Sequence, residues 1–300
     1  MDKLVSVIIT TYGRKYELIK KSIDSVFNQT YKNIELILVD DNDSKSVFRL
    51  DIQKKINKDI IYIKHEKNKG AQVSRNDGII NANGELIAFL DDDDEWLPLK
   101  LEMQVNAIKK DKNIGLVYSK GYTIIEETKE KRKYVTSKNF HTEVSLFDEL
   151  YGDYIGTTSQ VLIKKEVFDK VGMFDINQPA RQDYEMWIRI CKKYKCVGVE
   201  EYLFNHYIHD GEQISKNPKK AAVGMHNIYI KYKKDYKTYP LAEMHMFINL
   251  SKYYKANDEK NYSIKWKVKA ILKLPKVLLF DFKNLVNKVR EHYNNEEFKQ

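Results

Sequence analysis

The stretch LIAFLDDDDEWLP, residues 86–98, runs an apolar segment, Leu86 to Leu90, straight into four consecutive aspartates, Asp91 to Asp94. Adjacent carboxylates repel one another, so the arrangement is costly unless a cation occupies it. A divalent metal is the natural occupant. Carboxylate oxygens are hard donors, and Mg²⁺ or Mn²⁺ usually take one or two of them and complete the shell with water and substrate phosphates. A calcium EF-hand loop is excluded, because counting from Asp91 the position that needs glycine is Trp96. The chemistry implied is metal-assisted binding of a diphosphate. Neither G-x-G-x-x-G nor G-x-x-x-x-G-K-[ST] occurs, so phosphate charge must be met by the metal and by bases such as Arg75. The bland alternative for Arg75 is a solvated surface charge.

Such a cluster needs strands to hold it. LVSVIIT (4–10) is a β-branched run suited to a strand buried on both faces, and Tyr16, Ile19, Ile23, Val26 and Phe27 follow at helical spacing. IELILV (34–39) and IIYIKH (60–65) repeat the strand pattern. A helix over 70–81 is expected, with Gly84 beyond its end as a left-handed cap, then the strand 86–90. Pro98 suits the first position of the next helix, whose Leu101, Val105 and Ile108 share a face. This alternation predicts an α/β fold: a mostly parallel sheet flanked by helices. Ligands of such sheets sit outside the carboxyl ends of the strands. Those ends are Thr10 to Tyr12, Asp40–Asp41 and Asp91 to Asp94, so three strands deliver polar groups to one rim.

With 300 residues and 42% hydrophobic content, the chain can bury a substantial core. It has no run of eighteen apolar residues, and its N-terminus lacks a basic leader and a cleavage site. Cys191 and Cys196 have no histidine at metal-ligand spacing and read as reduced thiols, which fits the cytoplasm. The net charge of +9 is local: residues 221–300 carry +8 and the first 220 only +1. Nucleic acid is disfavoured as a partner, since no recognition motif accompanies the charge. From about 216 the pattern turns helical, which sets 1–215 apart from a basic tail, 216–300. Ile264, Val268 and Ile271 share a face and, after Pro275, so do Leu278, Phe282, Leu285 and Val289. A basic amphipathic pair of helices over 260–290 suits an anionic membrane surface at the inner face of the cell membrane. The alternatives are a packed helical subdomain or a dimer contact.

The segments SVIITTYGR (6–14), NQTYKNIELILVDDNDS (28–44), NKGAQVSRNDGI (68–79) and GELIAFLDDDDEWLPLKLE (84–102) resemble, in order, motifs of family 2 glycosyltransferases. VGMFD (171–175) and RQDYEMWIRI (181–190) are similar to that family's downstream pair. The resemblance covers about 1–210, extends to bacterial capsule and exopolysaccharide glycosyltransferases, and implies the GT-A fold. It further implies inverting transfer of a sugar from a nucleotide donor, most often UDP-linked. On the matched positions, Asp41 would read the uracil edge, with Thr10 and Tyr12 around the base. Asp91 and Asp93 would be the acids of the D-x-D motif, Asp93 the direct ligand of Mn²⁺ or Mg²⁺. Asp92 would reach the ribose, and Arg75 would lie in the donor site.

Inverting transfer needs a base for the acceptor hydroxyl and neutralisation of the leaving diphosphate. The resemblance gives the first role to Asp183, although its motif has an acid where this chain has Gln182. Tyr184, Trp187, Ile188 and Cys191 share a helix face, which puts Asp183 in a first turn where the dipole favours the ionised carboxylate. A plain helix-start acid is the ordinary use of Asp there, and Glu185 competes for the role. NHYIHDGEQIS (205–215) resembles the segment that closes over the donor, making His209 a candidate metal or diphosphate contact. Acceptor contacts are expected near Tyr154, Thr157 and Thr158.

The expectation is therefore a metal-dependent, inverting hexosyltransferase that moves a sugar from a UDP-sugar to a glycan hydroxyl, on a lipid-linked acceptor, in cell-surface polysaccharide synthesis. Two alternatives stand beside it. A haloacid-dehalogenase-like phosphotransferase would carry its Asp-x-Asp after its first strand and use the first Asp as nucleophile. A non-catalytic carbohydrate-binding protein of the same fold would not need Asp183.

Overall fold

The computed structural model describes residues 2–134, 140–208 and 217–297, with side chains as far as Phe280. The chain divides into two compact units, 1–149 with 153–212, and 150–152 with 213–300.

The first unit begins β1 (Val5–Thr11), α1 (Tyr16–Phe27), β2 (Ile34–Asp40), α2 (Val47–Lys55), β3 (Ile61–Lys64), α3 (Ala71–Asn81), β4 (Leu86–Asp91), β5 (Glu95–Trp96) and α4 (Lys100–Ile108). It continues through β6 (Ile114–Ile125), β7 (Lys131–Lys133), β8 (Glu143–Val144), α5 (Leu146–Tyr151) and a 3-10 turn at Thr158–Gln160. β9 (Val161–Lys164), α6 (Lys165–Val171), α7 (Gln182–Cys191) and β10 (Lys195–Ile208) follow. The strands form one sheet in the order β3-β2-β1-β4-β9-β6-β10-β5, with β7 beside β6 and β8 beside β10. β3, β2, β1 and β4 are parallel, as is β6 with β10, while β9 runs against both β4 and β6.

Side chains alternate across a strand, so an unbroken apolar strand is stable only when both faces are covered. Val5, Val7 and Ile9 of β1 join Leu86, Ala88 and Leu90 of β4 under Ile19, Ile23 and Val26 of α1. Ile8, Ile87 and Phe89 face the other way, toward Ile79 of α3 and Trp187 of α7. Each such side chain contributes on the order of 1.5–3 kcal/mol, and together they fix the strand register. In that register Thr11 lies level with Asp40 and Thr10 with Asp91. The three polar strand ends thus share one rim.

Two local expectations need correction. Gly84 is not a left-handed cap, since its φ is not among the positive values. The helix ends instead on Ala82 in extended conformation. Gly84 is required because a Cβ there would lie 2.6 Å from the Leu4 carbonyl oxygen and 2.7 Å from the Ser6 nitrogen. Pro98 precedes α4 rather than opening it, and its carbonyl accepts the Thr30 N–H at 2.9 Å.

The second unit is helical in its described residues: α8 (Pro218–Lys231), α9 (Lys233–Thr238), α10 (Pro240–Ala256) and α11 (Lys260–Glu297). Its core is aromatic, with Trp266 of α11 against His226, Tyr229 and Phe247. The expected pair of tail helices is one helix that passes through Pro275. Pro275 lacks the N–H that would reach the Ile271 carbonyl, but it lies on the exposed side, where water can bond that oxygen. Among the described residues no helix is long and apolar enough to cross a membrane.

Replacing Gly84 with alanine sets two effects against each other. Lower unfolded-state entropy favours the variant by ~0.4–1 kcal/mol, while a methyl group forced against backbone costs ~1–3 kcal/mol. Because the clashing atoms are main chain, the second effect wins. Gly84→Ala is expected to lower the denaturation midpoint; an unchanged or raised midpoint would contradict this packing.

Candidate functional site

Each aspartate of the turn after β4 meets a different partner. Asp91 accepts from Arg75 Nη2 of α3 at 2.9 Å, Thr158 Oγ1 at 3.0 Å and Thr157 Oγ1 at 3.3 Å. Asp92 is buried between Thr11 Oγ1 at 2.6 Å and Arg14 Nε at 2.9 Å. Arg14 Nη2 reaches Asp93 at 2.7 Å. Asp94, fully buried, pairs with His206 Nδ1 at 3.0 Å and accepts the Tyr207 N–H at 3.1 Å. The Asp94 N–H donates to the Asp91 carbonyl at 3.0 Å, and the Asp94 carbonyl accepts from Ser22 Oγ at 2.6 Å. Asp94 is therefore the anchor of the turn, and Asp91 to Asp93 are its working edge.

The field at the rim follows from these partners. Burial pushes Asp91 up, but the charge and hydrogen bond of Arg75, with Thr158, outweigh it and hold the carboxyl below its usual range. Burial pushes Asp92 up to about 7; Asp93 and Asp91 add to the rise, and Arg14 and Thr11 oppose it. Burial also raises Asp94, against the pull of His206. His206 is lowered by burial, yet Asp94, Asp91 and Asp93 outweigh this and carry it up to about 9.

The repulsion within the run is thus relieved by Arg14, Arg75 and His206, so charge alone does not oblige the cluster to hold a metal. Among the described residues no group of three or more His, Cys, Asp or Glu is placed to cage an ion. Hard oxygens on Asp91 and Asp93 nevertheless fit Mg²⁺ or Mn²⁺ in the mode that uses one or two carboxylates and a phosphate. His209 lies outside the described residues.

The neighbouring strand end is bound into the same rim. Asp40 is buried and paired with Arg49 Nε at 2.7 Å, and Arg49 also donates to the carbonyls of Asp40, Asn42 and His65. Removing either member of such a pair costs ~3–5 kcal/mol, because the other charge is left buried and alone. Asp41 accepts the N–H groups of Lys69 and Gly70, each at 2.8 Å, and faces His65 Nδ1 at 2.7 Å. His65 Nε2 faces Asp77 at 2.8 Å. Asp41 thereby ties the end of β2 to the loop entering α3, where Gly70 takes φ +91°. A carboxylate offers about four acceptor positions, so Asp41 retains one. The Asp41 N–H donates to the Thr11 carbonyl at 2.9 Å, and on either side of Thr11 in the chain Thr10 is half-buried and Tyr12 is 55% exposed.

Asp183 sits in the first turn of α7 and is half-buried. Burial raises its carboxyl, with Asp91 adding and Arg181 and Arg75 opposing, so it lies within the electrostatic reach of the acid turn. Arg181, which precedes α7, holds a left-handed backbone, φ 60° and ψ 37°. That conformation is strained for a residue with a Cβ, and such strain clusters at working sites. Asp153 belongs to the same group: burial and the Asp183 charge push it up to about 7 against Arg181. Glu185 is excluded as the competing base, since it is fully buried and both its oxygens bind Arg189 at 2.8–3.1 Å.

Sequence reasoning thus brought together Thr10, Tyr12, Asp41, Arg75, Asp91, Asp92, Asp93 and Asp183 at one end of the sheet. It expected acceptor contacts near Tyr154, Thr157 and Thr158; the two threonine hydroxyls bond Asp91, and Tyr154 packs against the His141 ring. It missed Arg14, His65, Asp153, Arg181 and His206. Arg14, Arg181 and His206 stood inside quoted motifs, but no spacing tied them to the aspartates they serve, and His65 and Asp153 carried no mark.

A mixed α/β sheet with helices on both faces and an acid turn at the carboxyl end of β4 is the architecture of a GT-A transferase. Residues 6–172 match the family described as Glycosyl transferase family 2. An uncharacterised glycosyltransferase of Methanocaldococcus jannaschii is 33% identical over 224 residues, 73% of this chain and 76% of that protein. The Escherichia coli UDP-Glc:alpha-D-GlcNAc-diphosphoundecaprenol beta-1,3-glucosyltransferase WfgD is 29% identical, over 83% of this chain and 92% of its own. In fold, the chain is similar to Staphylococcus aureus TarS 1–349, solved in complex with UDP-GlcNAc: TM-score 0.64, 17% identity, 90% of this chain and 81% of that one. The chain belongs to glycosyl transferase family 2 and has the GT-A fold.

The raised Asp153 yields a pH test. Its folded value, about 7, exceeds the ordinary 3.8, so the folded chain takes up a proton between those values. The stabilisation is complete below the lower value and is lost as pH rises through the upper one. Asp153→Asn should therefore gain melting temperature relative to wild type as pH is raised across that window. Parallel curves would show that Asp153 does not titrate in this way.

Proposed function

We propose that this family member is an inverting, metal-dependent glycosyltransferase that moves a sugar from a UDP-sugar to a hydroxyl of a glycan acceptor. In this reading the acceptor is lipid-linked, and the product is cell-surface polysaccharide made at the inner face of the membrane. The observation that carries the proposal is the shared field of Asp183, Asp91 and Arg75: a raised carboxylate on α7 within electrostatic reach of the acid turn and its arginine. A base and a diphosphate-binding edge in one site suit single displacement with inversion. The named activity of WfgD supports the donor and the lipid-linked acceptor, and the UDP-GlcNAc complex of TarS supports the donor.

On this reading Thr10, Tyr12 and the remaining acceptor position of Asp41 receive the uracil. Asp92 reaches the ribose once Arg14 turns from it to the diphosphate, which is the better partner for a planar guanidinium. Asp91 and Asp93 hold Mn²⁺ or Mg²⁺, which when bound neutralises charge on the departing nucleoside diphosphate. Arg75 meets a diphosphate oxygen from α3. Asp183 takes the acceptor hydroxyl proton as that oxygen bonds to the anomeric carbon and the carbon–phosphate oxygen bond breaks, releasing UDP. A carboxyl raised above its ordinary range is a stronger base once ionised, which suits this task. The phosphotransferase alternative wants its acid pair after the first strand of the sheet, whereas here the pair follows β4.

UDP release from a panel of UDP-sugars, with and without Mn²⁺, tests the proposal. Asp183→Asn should lower kcat by ~10²–10⁴-fold while UDP binding persists. Glu185→Gln should instead lower the melting temperature, because Arg189 loses the carboxylate charge that balances it. A chain that binds no UDP, or an Asp183→Asn variant with full turnover, would count against it. Full turnover by that variant would place the base elsewhere, whereas UDP binding with no turnover of any UDP-sugar would leave a non-catalytic carbohydrate-binding role.

A further inference from the structure

Helix α11 carries two faces of opposite use. Ser263, Trp266, Ala270 and Val277 are buried, 3–5% exposed, and their spacing of three, four and seven places them on one side. That side packs within the unit, through the Trp266 ring. Directly opposite, Ile264, Val268, Ile271, Leu272, Leu278 and Leu279 are 47–70% exposed. At the α-helical turn angle these six span an arc of about 120° and a length of about 22 Å. The stripe that the sequence pattern marks as apolar is therefore the one the chain leaves uncovered.

Its surroundings say what covers it. Between Lys260 and Phe280 there are six lysines and no acid. On the helical wheel Lys265, Lys269 and Lys276 border one edge of the stripe and Lys260 and Lys267 the other. Lys273 turns away, to Glu243 of α10, and the Lys269 ammonium lies over the Trp266 ring at 4.0 Å. Pairing this face with its copy would set lysine rows against lysine rows with no carboxylate between them, which disfavours a second chain. An acidic sheet of head groups over acyl chains answers both features at once. Among the described residues no helix is long and apolar enough to cross a bilayer.

We propose that the exposed face of α11 is an anionic bilayer-binding surface, with the aliphatic stripe at the acyl boundary and the flanking lysines at the head groups. The inference gives a location to the reading of a lipid-linked acceptor, and rests on that reading only for its purpose. Vesicle binding requires no catalysis, so the two can fail separately.

The test is cosedimentation of the full chain with phosphatidylcholine vesicles, with and without phosphatidylglycerol. Wild type should bind the phosphatidylglycerol vesicles at least about tenfold more tightly and lose binding as salt is raised. Combined Ile271→Gln, Leu272→Gln, Leu278→Gln and Leu279→Gln should lower binding about tenfold or more, with the melting temperature and UDP-sugar hydrolysis unchanged. Lys265→Glu with Lys267→Glu and Lys276→Glu should abolish the preference for phosphatidylglycerol. Equal binding by the glutamine variant, or no binding by wild type, would overturn the proposal. So would a lipid-free wild-type dimer that the glutamine substitutions convert to monomer without changing vesicle binding, since a second copy would then be the occupant.

Discussion

Four carboxylates in sequence cannot stand at the end of a buried strand unless positive charge is brought to them, and much of the first unit is arranged to bring it. Arg14 comes from the loop after β1, Arg75 from α3 and His206 from β10, each to a different aspartate. None of these is a neighbour of the run in sequence. The turn therefore depends on the sheet being correctly assembled, and the sheet's rim depends on the turn being neutralised.

The same ions make the site responsive. An arginine that bridges Asp92 and Asp93 holds a place that phosphate oxygens would suit, so exchanging carboxylates for a diphosphate changes the partners of Arg14 without leaving its charge unmet. Asp94 does not share in this. Its burial and its bonds to Tyr207 and His206 fix the turn while its neighbours remain at the edge. Asp40 and Arg49 perform the corresponding fixed role at the end of β2, leaving Asp41 to join two loops. At both strand ends one fully buried acid, Asp40 or Asp94, fixes the backbone.

The first half of the fold is legible because its signals are local: β-branched runs for strands, helical spacing between them, and acids where strands end. The acid turn and Asp41 could be placed for the same reason, whereas Asp183 entered only through the resemblance of RQDYEMWIRI to a family motif. Arg75 could be named as a base near the phosphates, but the pairing of Arg14, Arg75 and His206 with individual aspartates could not, because they reach the run from 16 to 112 positions away and only the folded sheet and its helices bring them there. The bonds of Thr157 and Thr158 to Asp91 were illegible in the same way, since a hydroxyl on a loop carries no mark of the carboxylate it will meet. In the tail, periodicity finds an apolar stripe but cannot say which side is packed. Trp266 and Ala270 cover the core while the stripe of Ile264, Val268 and Ile271 faces outward.

Diffraction from crystals grown with UDP and Mn²⁺, recorded with manganese anomalous scattering, tests the central claim most directly. The account predicts an anomalous peak in contact with the Asp93 carboxylate, the uracil beside Tyr12 and Asp41, and the Arg14 guanidinium moved from Asp92 to the diphosphate. A peak away from the acid turn, or UDP bound with Arg14 still bridging Asp92 and Asp93, would contradict it.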